Sequence, residues 1–153
     1  MRSVCILLIW SVVMAAPSTA ELTTAWTRTL GGASNDGARS LVLTGDGGLV
    51  LAGYTFSSGD SCGNIYLARL DRRGATVWET VLGGPGRDYA QGICASGDGG
   101  FVYTGWSTSY GVGDEDLVIG KVDSSGNPVW QKTYGGSESD VGASVVRTND
   151  GSF

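Results

Sequence analysis

The chain contains no histidine among its 153 residues, and this absence excludes several kinds of active site at once. Without an imidazole the sequence can build neither a Ser-His-Asp triad nor a Cys-His pair, and it has no imidazole to offer a metal. A pair of carboxylates of the glycosidase type stays open, because it requires only two Asp or Glu side chains in one cleft. Hydrolytic sites that depend on an imidazole are therefore excluded, whereas a carboxylate pair is not.

Basic residues, cysteines and helical patterns are also scarce. Ten Lys and Arg against fifteen Asp and Glu give a formal net charge of −5, which argues against nucleic acid as a partner. Cys62 falls in a predicted loop and Cys94 in a predicted strand, so both a disulfide and two free thiols stay open. No segment keeps a 3.6-residue apolar period over three turns, so the sequence gives no helix signal.

The one long apolar run lies at the N-terminus. Met1-Arg2 is a positively charged start, residues 3–16 are apolar, and Ser18-Thr19-Ala20 has the small-x-small pattern of a cleavage site. The run is shorter than the ~20 residues of a membrane span and is typical of a secretory signal peptide. We therefore expect residues 1–20 to be a signal peptide. The mature protein, 21–153, should be secreted or at the cell surface, in the periplasm or outside the cell, without a membrane span.

The rest of the chain repeats itself every 52 residues without gaps. Trp26 aligns with Trp78 and Trp130, and each is followed by a Gly-Gly pair at the same distance. The copies are residues 26–77, residues 78–129 and a partial copy, 130–153. Self-similarity at a fixed period of this size is typical of repeat architectures. Because the third copy stops inside a predicted strand, we expect the sequence to be a fragment of a longer one.

Each repeat shows the pattern of four short strands, which in the first copy are 38–44, 49–55, 64–70 and 76–82. Asp46-Gly47-Gly48 predicts a hairpin turn, and the segment from Asp71 to Gly74 predicts a second tight turn. Gly53 and Gly105 interrupt apolar strands, which indicates a bulge or a close backbone approach. Four antiparallel strands in about 50 residues form the blade of a β-propeller. The sequence thus predicts an all-β, incomplete propeller of about two and a half blades, with the tryptophans between blades.

The repeat resembles a known family. Its pattern W-x-x-T-x-G-G-x-x-x-D, continued by D-G-G and D-x-x-G-x-x-x-W, is similar to repeats in secreted bacterial and archaeal surface proteins that are expected to form propellers. The last element (Asp71, Gly74 and Trp78) also resembles the blade signature of quinoprotein-like propellers. That resemblance implies that the first strand of each blade lines a central channel and that the tryptophan strand is outermost. The mannose pattern of bulb lectins, a label some relatives carry, is missing.

The repeated aspartates are interpreted as structural, because a turn aspartate hydrogen-bonds its own backbone. They recur in every copy, whereas a catalytic pair usually breaks the symmetry of a repeat. These residues are Asp36, Asp88, Asp140, Asp46, Asp98, Asp71 and Asp123.

Two features leave ligand binding open. Asp114, Glu115 and Asp116 form an acidic loop that is either simply solvated or supplies oxygen ligands to Ca²⁺. Tyr110, together with Tyr54 and Trp106, is suited either to stacking on sugars or to packing between blades. Tyr110 aligns with a serine in the first copy and is therefore the better candidate for exposure.

These observations predict an exported, non-catalytic binding or adhesion scaffold with a protein or glycan ligand. Contacts are expected in the loops 56–63 and 108–115, which differ most between copies. The alternative is the propeller part of a secreted carbohydrate-active enzyme, a glycoside hydrolase or a lectin-like module. No cofactor is predicted, and the metal content stays open. Two and a half blades cannot close a ring, so self-association is expected if no further sequence follows.

Overall fold

The chain forms an all-β structure. The computed structural model describes residues 6–7, 24–59 and 62–153, so most of the predicted signal peptide lies outside the described residues. No helix occurs in these ranges, and accordingly none is long and apolar enough to cross a membrane. The strands are β1 (Ile6–Leu7), β2 (Arg28–Thr29), β3 (Asp36–Leu43), β4 (Leu49–Thr55), β5 (Asn64–Leu70), β6 (Thr76–Leu82), β7 (Asp88–Ala95), β8 (Phe101–Ser107), β9 (Asp116–Val122) and β10 (Pro128–Tyr134).

Two four-stranded antiparallel sheets make up most of the structure. Strands β3, β4, β5 and β6 lie in chain order in the first sheet, and β7, β8, β9 and β10 lie in the same order in the second. The predicted strands 49–55, 64–70 and 76–82 are confirmed, while the strand predicted at 38–44 is β3, which begins two residues earlier at Asp36. The two sheets do not close on themselves. A short ladder of β1 with β2 completes the pairing.

Glycine permits a close backbone approach at the same place in both sheets. A methyl group on Gly53 would overlap the carbonyl oxygen of Gly37, and one on Gly105 would overlap that of Tyr89. Next to these points the first strand of each sheet is bulged, between Ala38 and Ser40 and at the corresponding positions of β7. The close backbone approach, one of the two alternatives that the sequence left open, is therefore confirmed, and the bulge lies in the neighbouring strand.

Aspartate and glycine shape the predicted turns. Asp71 Oδ1 accepts hydrogen bonds from the amides of Arg73 at 2.8 Å and Ala75 at 2.9 Å, and Gly74 has a φ of 79°. Asp123 and Gly126 repeat this arrangement in the next sheet. In the other hairpin Gly47 has a φ of 83°. A positive φ is accessible to glycine at little cost, which explains its place in each turn.

The main core lies between the two sheets. Both faces of β4 and β5 are buried. One face of the first sheet packs on the second sheet, and the opposite face packs on the segment that precedes β3. This explains why β4 and β5 are nearly continuous apolar runs. The core between the sheets contains Val50, Ala52, Ile65, Leu67, Ala90, Ile93, Phe101, Tyr103, Val118 and Val122.

The opposite face of the first sheet has a smaller core of its own. Leu49, Leu51 and Leu70 are buried there, and Trp26 and Leu30 pack against them. The indole of Trp26 lies against Gly74 and donates a hydrogen bond from Nε1 to the carbonyl of Arg72 at 3.1 Å. The segment that precedes the first sheet therefore serves as its cover.

The same tryptophan contact joins the first sheet to the second. Trp78 lies against Gly126, and its Nε1 donates to the carbonyl of Ser124 at 3.0 Å. Both glycines are buried beneath their indoles. The third tryptophan, Trp130, is half-buried at the outer side of β10, beside Ile119 and Tyr134.

The segment after β10 continues the pattern without forming a strand. The amide of Asp140 donates to the carbonyl of Glu115 at 2.6 Å, and the amide of Gly142 donates to that of Gly105 at 3.0 Å. The equivalent amide one repeat earlier, that of Asp88, donates to Gly63 at 3.0 Å. Residues 140–147 thus lie on the second sheet at the position that β7 occupies on the first.

Candidate functional site

One end of the two sheets gathers most of the candidate residues, and we call it the loop end. It consists of the loops 56–63 and 108–115, which follow β4 and β8, the loop 83–87, which leads from the first sheet to the second, and the loop 135–139, which follows β10. Residues 60 and 61 are outside the described residues. The turns at Asp46, Asp71, Asp98 and Asp123 lie at the opposite end, which we call the turn end. Neighbouring strands are antiparallel, so successive connections lie at alternate ends of each sheet.

Asp36 and Asp88 hold corresponding hydrogen-bond networks at the loop end. Asp88 is fully buried and accepts hydrogen bonds from Ser107, from the amide of Gly84 at 2.9 Å and from Ser109 Oγ at 2.6 Å. Asp36 accepts the equivalent bonds from Thr55, Gly32 and Ser57. Burial raises the pKa of Asp36, but the hydrogen bonds from Thr55 and Gly32 outweigh it, so that this pKa is lowered overall.

The acidic loop is divided by its environment. Asp114 is exposed and Glu115 is partly buried, whereas Asp116 is only 1% exposed. Asp116 Oδ2 accepts a hydrogen bond from the amide of Val112 at 2.8 Å, and its Oδ1 is buried without a hydrogen-bond partner among the described residues. The sequence pattern suggested a single group of three carboxylates. In the structure Asp116, the first residue of β9, is the buried member of that group.

Tyr110 connects two loops of the loop end. Its ring is 41% exposed, and its hydroxyl donates a hydrogen bond to the carbonyl of Gly83 at 2.9 Å. Burial raises the pKa of Tyr110 above its ordinary value, with the charge of Asp88 adding to the effect. The exposed ring is thereby fixed in position at the surface.

A row of aromatic side chains crosses from one sheet to the other, and we call Tyr54, Phe56, Tyr89 and Trp106 the aromatic row. Tyr89 stacks on Tyr54 with ring centroids 4.6 Å apart and lies 4.5 Å from Trp106. Phe56 meets the rings of Tyr54 and Tyr89 edge to face. Tyr54 and Trp106, proposed from the sequence as sugar-stacking or packing residues, are thus packed against Tyr89.

Two arginines flank the aromatic row. The guanidinium of Arg39, the extra residue in the bulge of β3, lies 5.4 Å from the centre of the Tyr54 ring. Burial raises the pKa of Tyr89, and the positive charges of Arg87 and Arg39 oppose that rise. Two positive charges therefore lie near the aromatic row although the whole chain is acidic.

Sequence reasoning missed Tyr89 and Arg87 and placed Phe56 only within the contact loop 56–63, and one signal was available for each of them. At these positions the copies differ, with Thr108, Gly37 and Asn35 as the corresponding residues. A residue that replaces a small or polar partner with an aromatic or basic side chain marks a local departure from the repeat. Such departures therefore indicate candidate site residues as much as the repeated positions do.

An open groove of about 510 Å³ lies beside the aromatic row. Its lining combines an aromatic ring, a guanidinium, a hydroxyl and a thiol, contributed by Phe56, Arg87, Thr108 and Cys62, together with Gly86. The backbones of Arg87 and Thr108 are joined by a hydrogen bond of 2.7 Å, which fixes one wall of the groove. Cys62 and Cys94 form no disulfide with each other, and burial raises the pKa of the Cys94 thiol.

The turn end carries ion pairs. Arg69 Nη2 lies 2.9 Å from Asp46 Oδ2, and Lys121 pairs with Asp98 at the same place in the second sheet. Among the described residues, no three Asp, Glu or Cys side chains converge as a ready metal centre. No protein-family model matches the chain, and no curated protein is significantly similar to it.

Proposed function

We propose that the two sheets are successive blades of a β-propeller and that the protein is an exported, non-catalytic binding scaffold. The observation that carries the architecture is a repeated contact, in which a tryptophan covers the buried turn glycine of the sheet that follows it in the chain, first Trp26 on Gly74 and then Trp78 on Gly126. The contact that covers the first sheet therefore recurs where the first sheet meets the second, as expected of units related by one repeated rotation. Radial repetition of four-stranded sheets is the arrangement of a propeller.

The ligand in this proposal is a glycan bound at the groove beside the aromatic row. Phe56 offers an apolar face, Arg87 a positive charge and Thr108 a hydroxyl within one groove. Sugars are recognised by such a combination of aromatic surface and a few fixed polar groups. The exposed ring of Tyr110 lies in the adjoining loop, held through Gly83. The two arginines of this surface favour an acidic sugar over a neutral one.

Glycan binding is tested with Arg87→Ala, measured on a glycan array and then by titration with the strongest acidic glycan. The Arg87 side chain is exposed and its backbone makes the groove contact, so the variant should keep the fold. Loss of one charge-assisted hydrogen bond should weaken binding about tenfold. Arg73→Ala removes the same group from an exposed position at the turn end and should leave affinity unchanged.

The same preparations separate this proposal from its alternatives. Equal weakening by both arginine variants would reject the groove as the site, and the absence of any bound glycan would reject the glycan as ligand. Release of reducing sugar from a bound polysaccharide would instead support a carbohydrate-active enzyme. Binding without turnover, weakened in Arg87→Ala alone, is the expected result.

A further inference from the structure

One buried oxygen at the loop end has no hydrogen bond to satisfy it. Asp116 is 1% exposed, and its Oδ1 finds no donor among the described residues, although Oδ2 accepts from Val112. A buried carboxylate oxygen without a partner is costly, and in folded proteins such an atom usually faces an ordered water or an ion. Asp116 therefore needs a positively polarised partner on the side of Oδ1.

That side of Asp116 faces a second carboxylate. A methyl group built on Gly135 would overlap Asp116 Oδ1 and would lie 2.9 Å from Asp140 Oδ2, so the two carboxylates approach each other across this glycine. Asp140 is exposed and accepts one hydrogen bond, from the amide of Gly136 at 3.0 Å. Two carboxylates this close repel each other unless a cation or a proton lies between them.

The preceding repeat has the same geometry with half the charge. There Asn64 stands in place of Asp116, and its Oδ1 and Asp88 Oδ2 converge on Gly83 in the same way, Asp88 Oδ2 at 2.7 Å from the added methyl group. Asn64 Nδ2 donates to the carbonyl of Ser58 at 3.3 Å. The second sheet therefore has a carboxylate, Asp116, where the first has an amide, Asn64. This exchange adds a negative charge next to that of Asp140.

We propose that a calcium ion binds between Asp116 and Asp140 and ties the acidic loop to the loop that follows β10. Ca²⁺ prefers carboxylate and carbonyl oxygens and tolerates irregular geometry, and it completes its six to eight ligands with water. The carbonyls of Gly136 and Ser137 face Gly113, 2.6 and 2.8 Å from a methyl group built there. Backbone oxygens therefore lie where these two loops touch, and exposure of Asp140 leaves the ion a path from solvent.

Only two side-chain ligands are involved, which is consistent with the absence of a three-residue cluster in the described part of the chain. A site with two carboxylates is expected to bind weakly, with a Kd of about 10⁻⁴–10⁻³ M. The inference does not depend on the proposed glycan, because the contact lies within the chain and its consequence is the order of a loop.

The test is a calcium titration of the full chain near neutral pH and at constant ionic strength, followed by thermal unfolding and calorimetry. We expect one equivalent of Ca²⁺ to bind and to raise the melting temperature. In Asp116→Asn the affinity should fall at least tenfold. That variant should fold, because an asparagine occupies the same position in the first sheet. Asp114→Asn removes an equal charge from the exposed part of the same loop and should leave calcium binding intact.

Three results would overturn the proposal. The first is that calcium produces no heat and no stabilisation in the unaltered chain, as would follow if a proton held between the two carboxylates satisfied Oδ1 instead. Asp116→Asn could bind calcium as tightly as the unaltered chain. Finally, an equal loss in Asp114→Asn would assign the effect to the general charge of the loop.

Discussion

Asp46 and Asp98 occupy the same turn in successive repeats and are held by the same kinds of donor. Asp46 accepts a hydrogen bond from Thr44 Oγ1 at 2.5 Å and pairs with Arg69. The hydrogen bond from Thr44 is the largest cause that lowers the pKa of Asp46 to about 2. The pKa of Asp98 is also lowered, chiefly by hydrogen bonds from Lys121 and Ser96. Each carboxyl group is therefore more acidic in the folded chain than in the unfolded one.

A lowered pKa links these two residues to acid stability. Their contribution is complete above the unfolded pKa of about 3.9 and is lost as pH falls through the folded pKa. We therefore expect the melting temperature to fall between about pH 4 and pH 2, and the double variant Asp46→Asn and Asp98→Asn to show a shallower fall. Thermal melts across this range measure it. Unchanged steepness in the double variant would show that other carboxyl groups control the acid transition.

At the scale of single residues, the sequence predicted the turn residues well because their chemistry is local. Asp71 and Gly74 act within one turn, and the structure has the hydrogen bonds and positive φ that the pattern implied. The division of the acidic loop could not be predicted. Burial of Asp116 beside an exposed Asp114 depends on which loop covers which, and that depends on how β9 is placed against the next repeat.

At the scale of elements, the strands β4 and β8 each depend on one glycine. The added methyl group of an alanine at Gly105 would overlap the carbonyl oxygen of Tyr89, which belongs to the backbone of β7 and cannot turn aside as a side chain can. Strand β7 in turn packs against the first sheet through Ala90 and Ile93. A change at Gly105 therefore reaches the contact between the two sheets.

The prediction is that Gly105→Ala destabilises the chain by about 1–3 kcal/mol, the usual cost of overpacking, or more if the hairpin cannot adjust. Gly45→Ala is the matched control, since no atom lies within 4 Å of its added methyl group. Urea unfolding compares the two variants. Equal free energies of unfolding would mean that the hairpin of β7 and β8 absorbs the extra group at no cost.

The pairing of strands within a sheet followed from hairpin signals, but the contacts of side chains between sheets did not. Apolar residues occupy positions on both faces of β5, and both faces are buried. The stack of Tyr89 on Tyr54 joins residues of two different sheets. Its prediction requires the offset between the sheets, which no local pattern encodes.

At the scale of the whole molecule, the tryptophan contact is the feature that repeats. Trp78 packs against the core between the sheets and covers Gly126, whereas Trp130 lies beside Phe153 at the outer side of the second sheet. The two residues have the same place in the repeat and different surroundings. Substitutions at these two positions therefore separate the stability that the contact contributes from the stability that a tryptophan contributes at any position of this kind.

Trp78→Ala should lower the free energy of unfolding by about 2–4 kcal/mol, somewhat less than for a fully buried tryptophan because the indole is half-buried. Trp130→Ala should cost less than about 1 kcal/mol, as expected away from a packed interface. Denaturant unfolding of both variants measures the difference. A loss at Trp130 as large as that at Trp78 would indicate that the outer side of β10 is covered in solution.

The tryptophan contact also has a consequence for how the chain folds. Trp78 and Ser124 are 46 residues apart, and the contact joins a sheet only to its neighbour in the chain. Each sheet can therefore assemble while later residues are still being added during synthesis, and it then offers its tryptophan to the next turn that emerges. Chain growth and folding proceed in the same direction, one repeat at a time.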